Sequence, residues 1–251
     1  MSEISPSLPP AGLTAARRPS TQRVIPITSR NFIPAMQLET AREWSSVFGR
    51  TAPLALEIGC GTGHFVLQLA DRHPESDFLA IDIYNKGCLK TCNKIDAAGL
   101  TNVRVLRVEA RELLTKAIPD DALQAIYINC PDPWPKKRHR DRRLVNRDFL
   151  EVALRRLAPE GDFFFSSDQL DYAEQVAGLL GQLPGFVNQL PTPWVEELPG
   201  YPLSKYMRRF LDQGLPVYFI HHRRTPGPLP EIQAPDLRRG YRSRRSRGHH
   251  E

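Results

Sequence analysis

An apolar run, Leu54-Ala-Leu-Glu-Ile58, gives way abruptly to Gly59-Cys-Gly-Thr-Gly63, after which apolar residues return at helical spacing over 64–72. Glycines at alternate positions allow backbone conformations closed to other residues and let the main chain approach a ligand closely. A short strand, a glycine turn and a helix open a β-α-β unit. The same alternation continues. Strands are predicted at 78–82, 103–107, 123–129, 162–166 and 217–221, and helices at 86–96, 145–157 and 173–183, with Gly161 as the stop after the second of these helices. Strands alternating with helices predict an α/β fold with a doubly wound, mostly parallel sheet.

The regular pattern has irregular ends. Residues 1–30 are rich in Ser, Pro and Arg and read as a flexible basic arm. An organelle transit peptide has a similar composition but ranks lower, because Pro6, Pro9 and Pro10 interrupt an amphipathic helix. Residues 31–224 form the expected domain. Residues 225–251 read as a disordered Pro/Arg-rich tail, with six arginines between Arg238 and Arg247. No apolar run approaches the ~18 residues of a membrane span, so no membrane partner is expected. The four cysteines, Cys60, Cys88, Cys92 and Cys130, form no C-x-x-C pair. Reduced thiols in a cytoplasmic chain, with no metal, are the expectation. A formal net charge of +6 and a pI near 9.3 favour an anionic partner.

Glu57 ends the strand before the glycine turn, and Asp82 ends the next one. A carboxylate at Asp82 can accept hydrogen bonds from both hydroxyls of a ribose. A nicotinamide fingerprint would need G-x-G-x-x-G, whereas here the third glycine comes at Gly63. The order Glu57-x-Gly59-x-Gly61-x-Gly63 resembles the S-adenosylmethionine turn of class I methyltransferases. That cofactor carries a sulfonium and an ammonium, which carboxylates favour. A glycine turn that serves structure alone is the competing reading. Glu109 divides evenly between a helix-capping acid and an acid facing the cofactor.

Ile126-Tyr-Ile-Asn-Cys-Pro-Asp-Pro-Trp-Pro135 runs an apolar strand into three prolines around Asp132 and Trp134. Proline fixes its own φ and holds the preceding residue extended. Asp132 is therefore expected on a rigid backbone at the carboxyl edge of the sheet, where α/β folds bind ligands. Lys136-Lys-Arg-His-Arg-Asp-Arg-Arg143 follows at once. A charge run is usually a solvated face, but next to this edge it suggests a strip that contacts phosphates. Trp134 is expected either to stack on a base or to pack in the core.

Taken together, these segments resemble the tRNA (guanine-N7)-methyltransferases of the bacterial single-subunit type. The matching residues are Leu56-Glu-Ile-Gly-Cys-Gly-Thr-Gly63, Ala80-Ile-Asp-Ile83, Pro131-Asp-Pro-Trp134 with Lys136, Arg138, His139, Arg142 and Arg143, and Ser167-Asp-Gln-Leu-Asp-Tyr-Ala-Glu174. The resemblance covers about residues 30–224. It implies that Glu57, Gly59, Gly61, Gly63, Asp82, Glu109 and Asp132 bind S-adenosylmethionine, with Asp132 also catalytic. It implies that Lys136, Arg138, Arg142, Asp168 and Ser204 bind the tRNA substrate. The family usually has Glu where this chain has Asp82, and Asp or Asn where it has Glu109. A Thr-x-x-Glu element of the family aligns with Ser204-Lys-Tyr-Met207, so a carboxylate is missing at Met207. Glu196, Glu197 or Asp212 could substitute for it.

Guanine N7 carries a free lone pair, and no proton leaves before it attacks a methyl group. Such a reaction needs no strong base; it needs in-line placement, which can contribute roughly 7–11 kcal/mol. The resemblance implies a guanine in the variable loop, at position 46 in tRNA numbering, and a loop guanine is easier to reach than one in an A-form stem. Two other readings stay open: a methyltransferase of the same fold acting on another RNA or a small molecule, and a non-catalytic RNA-binding protein.

Overall fold

The computed structural model describes residues 25–34 and 43–229. The element order is β1 (Phe32–Ile33), α1 (Trp44–Phe48), β2 (Leu54–Ile58), α2 (His64–Arg72), β3 (Asp77–Asp82), α3 (Asn85–Ala98), β4 (Val103–Arg107), α4 (Ala110–Lys116), β5 (Leu123–Asn129), α5 (Arg147–Arg156), β6 (Leu157–Ser167), α6 (Leu170–Gln182), β7 (Phe186–Asn188), α7 (Lys205–Asp212) and β8 (Tyr218–Arg224). A short 310 turn, Lys137–Arg142, lies between β5 and α5. The strands form one sheet in the order β1-β4-β3-β2-β5-β6-β8-β7. β1 to β6 pair in parallel, and β8 runs antiparallel to both β6 and β7. This is the expected doubly wound, mostly parallel sheet.

Helices cover both faces of the central strands, so β2 and β3 are buried at every position and read as continuous apolar runs rather than alternating ones. Along each strand, successive side chains go to opposite faces. Leu56, Ile58, Leu79, Ile81, Ile126 and Ile128 join the core under α4, α5 and α6. Ala55, Phe78, Ala80, Val103 and Val105 join a second core under α2 and α3. A third cluster centres on Met207, Val217 and Phe219 beneath α7, and Tyr201 packs against both it and the second core.

The strand order reverses between β2 and β5, which places the ends of β2, β3 and β5 at a topological switch point. Two local expectations are corrected. The helix expected over 145–157 begins later, at Arg147, because Asn146 caps it by accepting from Phe149 N. Gly161 does not stop that helix. The chain passes straight from α5 into β6, and Gly161 lies inside the strand, where a Cβ would meet Ala158 O at 2.8 Å and Leu123 O at 2.9 Å. Residues 25–30, placed in the arm by composition, run beside α3, where Ile25 N donates to Asn85 and Ser29 to Asp96. Arg17, Arg18, Arg23 and the arginine tail lie outside the described residues.

Candidate active site

The carboxyl ends of the central strands open into a cavity of about 640 Å3. Its wall includes Glu57, Asp82, Glu109, Asp132, Asp168 and Ser204. Each acid arrives from a different strand end or the turn that follows it, which is why residues remote in sequence converge. Gly59 and Gly61 also line the cavity. Both have positive φ, 80° and 56°; a Cβ added to Gly59 would point into open space, and one on Gly61 would meet only Gly59 O, at 4.0 Å. Gly63 does not line the cavity. It turns the chain into α2, and a Cβ there would strike Thr91 of α3 at 2.7 Å.

Glu57 is 3% exposed. Its carboxylate accepts from Val66 N at the start of α2 and lies beside the Asn129 side-chain amide, but Oε2 makes no close hydrogen bond within the protein. Burial pushes Glu57 up to about 8, with the nearby charge of Asp82 adding to the effect. An acidic oxygen buried without a donor is unfavourable unless a ligand supplies one. A cationic group entering beside the glycine turn would meet that need. Asp82 helps to close the turn: its two oxygens accept from Gly61 N and Tyr84 N, each at 2.8 Å. Burial raises its proton affinity, and the charge of Asp132 contributes to the same effect. Glu109 is the capping acid of its first reading, and it also stands in the cavity wall. It caps α4 by accepting from Glu112 N at 3.1 Å and pairs with Arg111.

The Pro-Asp-Pro-Trp segment is held by contacts outside the cavity. Cys130 and Trp134, at its two ends, have φ of 46° and 42°, a left-handed conformation that non-glycine residues rarely take. Such conformations persist where surrounding contacts enforce them. Cys130 N donates to Ser166 O at 3.0 Å, and Arg143 Nε donates to Pro133 O at 2.8 Å. Between them, Asp132 is exposed toward the cavity. Trp134 lines the cavity too, with the Arg142 guanidinium 5.0 Å from its ring centre.

The basic run after this segment divides into two classes. Lys136, Arg138 and Arg142 are exposed, and Arg142 also lines the cavity. Arg143 is fully buried, so its expected place in a strip facing phosphates is corrected. Its guanidinium bonds Pro133 O, Gln175 Oε1 and Asp171 Oδ2 and lies 4.4 Å from the ring centre of Tyr172. It clamps the segment carrying Asp132 onto α6. Sequence reasoning also missed Asn129, in the cavity wall, whose Oδ1 accepts from Tyr201 at 2.9 Å and Ser166 at 3.2 Å. Lys205, Tyr206 and Phe210 of α7 were missed as well, because no helix was expected there.

A family profile described as "Putative methyltransferase" matches residues 51–220. A tRNA (guanine-N(7)-)-methyltransferase of Syntrophotalea carbinolica is 54% identical, over 89% of this chain and 97% of that protein. One from Geobacter metallireducens is 48% identical, over 81% of this chain and 97% of its own length. The chain belongs to the tRNA (guanine-N7)-methyltransferase family. Among solved structures, the 16S rRNA methyltransferase KamB superposes with a TM-score of 0.52 at 16% identity, covering 73% of this chain and 93% of its own. That likeness concerns the fold alone. The [4+2]-cyclase SpnF superposes nearly as well, with a TM-score of 0.50 at 17% identity over 70% of this chain and 76% of its own.

Within this family, the departure at position 207 takes a different meaning from the one its sequence suggests. Met207 is fully buried in the cluster with Val217 and Phe219 and is not part of the cavity lining. Ser204 Oγ accepts from Met207 N at 3.2 Å, and the Met207 sulfur lies 3.3 Å from Ser204 N. Serine followed three residues later by a side chain that reaches back to the cap nitrogen is the geometry of a capping box. The family's Thr-x-x-Glu spacing suits that same geometry. Here position 207 secures the start of α7 and does not reach the cavity.

Proposed function

We propose that this chain transfers the methyl group of S-adenosylmethionine to N7 of a guanine in tRNA, at variable-loop position 46. The observation that carries the reading is the unpartnered buried oxygen of Glu57 beside an open glycine turn, facing the same cavity as Asp132 on its rigid segment. The activity in the names of the 54% and 48% identical relatives supports the same reading. S-adenosylmethionine supplies an electrophilic methyl group on a sulfonium. Glu57, Asp82 and Glu109 are the acids placed to hold it, with Gly59 and Gly61 giving the backbone clearance.

Asp132 orients the guanine and balances the positive charge that appears on the methylated base. Asp168 presents a second carboxylate to the same space, and its neighbour Gln169 already holds one of its oxygens at 2.7 Å. A carboxylate that accepts from guanine N1–H and the 2-amino group selects guanine over adenine. Ser204 lends its lone pair to the cap of α7 but keeps its hydroxyl proton for a substrate oxygen. Lys136, Arg138 and Arg142 supply exposed positive charge for the tRNA backbone. No helix among the described residues is long and apolar enough to cross a membrane, and no group of metal-ligating side chains occurs among them. We place the enzyme in the cytoplasm, where its tRNA substrate is modified.

The test is to incubate the protein with labelled S-adenosylmethionine and unmodified tRNA and to map the product by aniline cleavage after borohydride reduction. Cleavage at one variable-loop guanine is expected. Label transfer to another acceptor, or tRNA binding without cofactor uptake, would overturn the reading. Asp132→Ala should lower methyl transfer far more than tRNA binding, and equal losses would remove Asp132 from its role.

A further inference from the structure

A second cavity, of about 770 Å3, adjoins the first. It lies between α2, α3 and α7, and His64 and Lys205 line both. Lys94, Lys205, Arg208 and Arg209 face it, against one carboxylate, Asp212. None of the four cations forms an ion pair among the described residues. Several surface arginines elsewhere are paired: Arg140 with Asp171, Arg147 with Glu151 and Arg223 with Asp162.

The charges are crowded as well as unpaired. Lys94 Nζ lies 3.1 Å from His64 Nε2. Partial burial and the neighbouring Lys94, Lys205 and Arg208 all lower the proton affinity of His64. Burial, Lys205 and Lys90 do the same to Lys94. Like charges gathered in a concave wall repel one another, and a polyanion seated there relieves the repulsion. The wall is also built firmly. Gln68 of α2 donates to Leu203 O at 3.0 Å, Arg72 donates to Gly200 O at 3.0 Å, and Met207 anchors α7 from below.

The position of this groove matters more than its charge. Arg143 ties the Lys136–Arg142 stretch to Tyr172 and the core under α6. The groove belongs to the other face of the sheet, with α2, α3 and the Met207 cluster. Basic surface therefore reaches the methyl-transfer cavity from both faces of the sheet at once. We propose that the groove between α2, α3 and α7 carries RNA backbone phosphates, so that the strand is gripped on both sides of the nucleotide in the cavity. This rests on the reading of the protein as a tRNA methyltransferase.

The experiment measures tRNA affinity from low to moderate salt for the full chain and for a Lys94→Gln/Arg208→Gln/Arg209→Gln variant, none of whose sites lines the cofactor cavity. Each phosphate contact removed lowers the slope of log affinity against log salt by about one, so the variant's slope should fall by roughly two to three. Its uptake of S-adenosylhomocysteine in calorimetry should match that of the parent protein. Arg208→Lys/Arg209→Lys should keep the parent slope, and Asp212→Asn should bind tRNA more tightly, a gain that misfolding cannot produce. An unchanged slope and affinity in the triple variant, while the parent binds tRNA, would overturn the groove and leave the methyltransferase reading intact. Failure of the parent protein to bind tRNA would overturn both.

Discussion

Burial of Glu57 between β2 and α2 separates its proton affinity from that of a carboxylate in water. The group titrates near 4.5 in an unfolded chain and at about 8 in the fold. Between those values the folded protein holds a proton that the unfolded chain has released, so stability falls as pH rises through that window. Glu57→Gln should remove this part of the slope in urea titrations between pH 5 and 8. A cation bound at Glu57 expels its proton, so cofactor uptake at pH 7 should release about one proton. Calorimetry in buffers of different ionisation enthalpy measures this, and Glu57→Gln should abolish the release. Arg143 and Arg138, five positions apart, call for opposite outcomes. Arg143→Ala leaves Pro133 O and Gln175 Oε1 without their buried donor and Asp171 with Arg140 alone, and should lower stability by about 2 kcal/mol. Arg138→Ala should leave the thermal midpoint unchanged and weaken tRNA binding.

Among the elements, α7 carries the most roles for its length. It has eight residues, and its first turn depends on Ser204. Ser204→Ala should lower stability by about 1 kcal/mol in chemical denaturation, and Ser204→Asp, an equally good cap, should restore it. Little in the sequence announced this helix, because its buried side is a single residue, Met207, set among exposed basic ones. The central strands were legible for the opposite reason. β2, β4 and β5 are short segments rich in Val, Ile and Leu, bounded by turn residues, and their observed limits match those read from the sequence. The acids of the cavity were legible because parallel topology delivers every strand end to one edge. The basic groove was not legible, since Lys94 and Arg208 meet only after α3 and α7 have packed against α2. Arg143 was misread because a run of like charges does not reveal which member turns inward.

At the scale of the whole molecule, positive charge is unevenly placed: many basic side chains of the domain are matched by acids in ion pairs, while those of the groove and most of the stretch after β5 are left free, and most of the net charge of +6 lies in the terminal segments. The tail from residue 237 onward, outside the described residues, adds further arginines. Deleting 237–251 should lower the salt dependence of tRNA binding while leaving cofactor uptake unchanged; a constant slope would mean that the tail takes no part. The outermost strands carry a different consequence. β1 has two residues and β7 has three, so each flank of the eight-strand array offers another molecule only a stub of unpaired main chain. Backbone zippering between copies, the usual hazard of a large sheet, has little to start from on those strands. Contacts between copies on these flanks would have to rely on side chains.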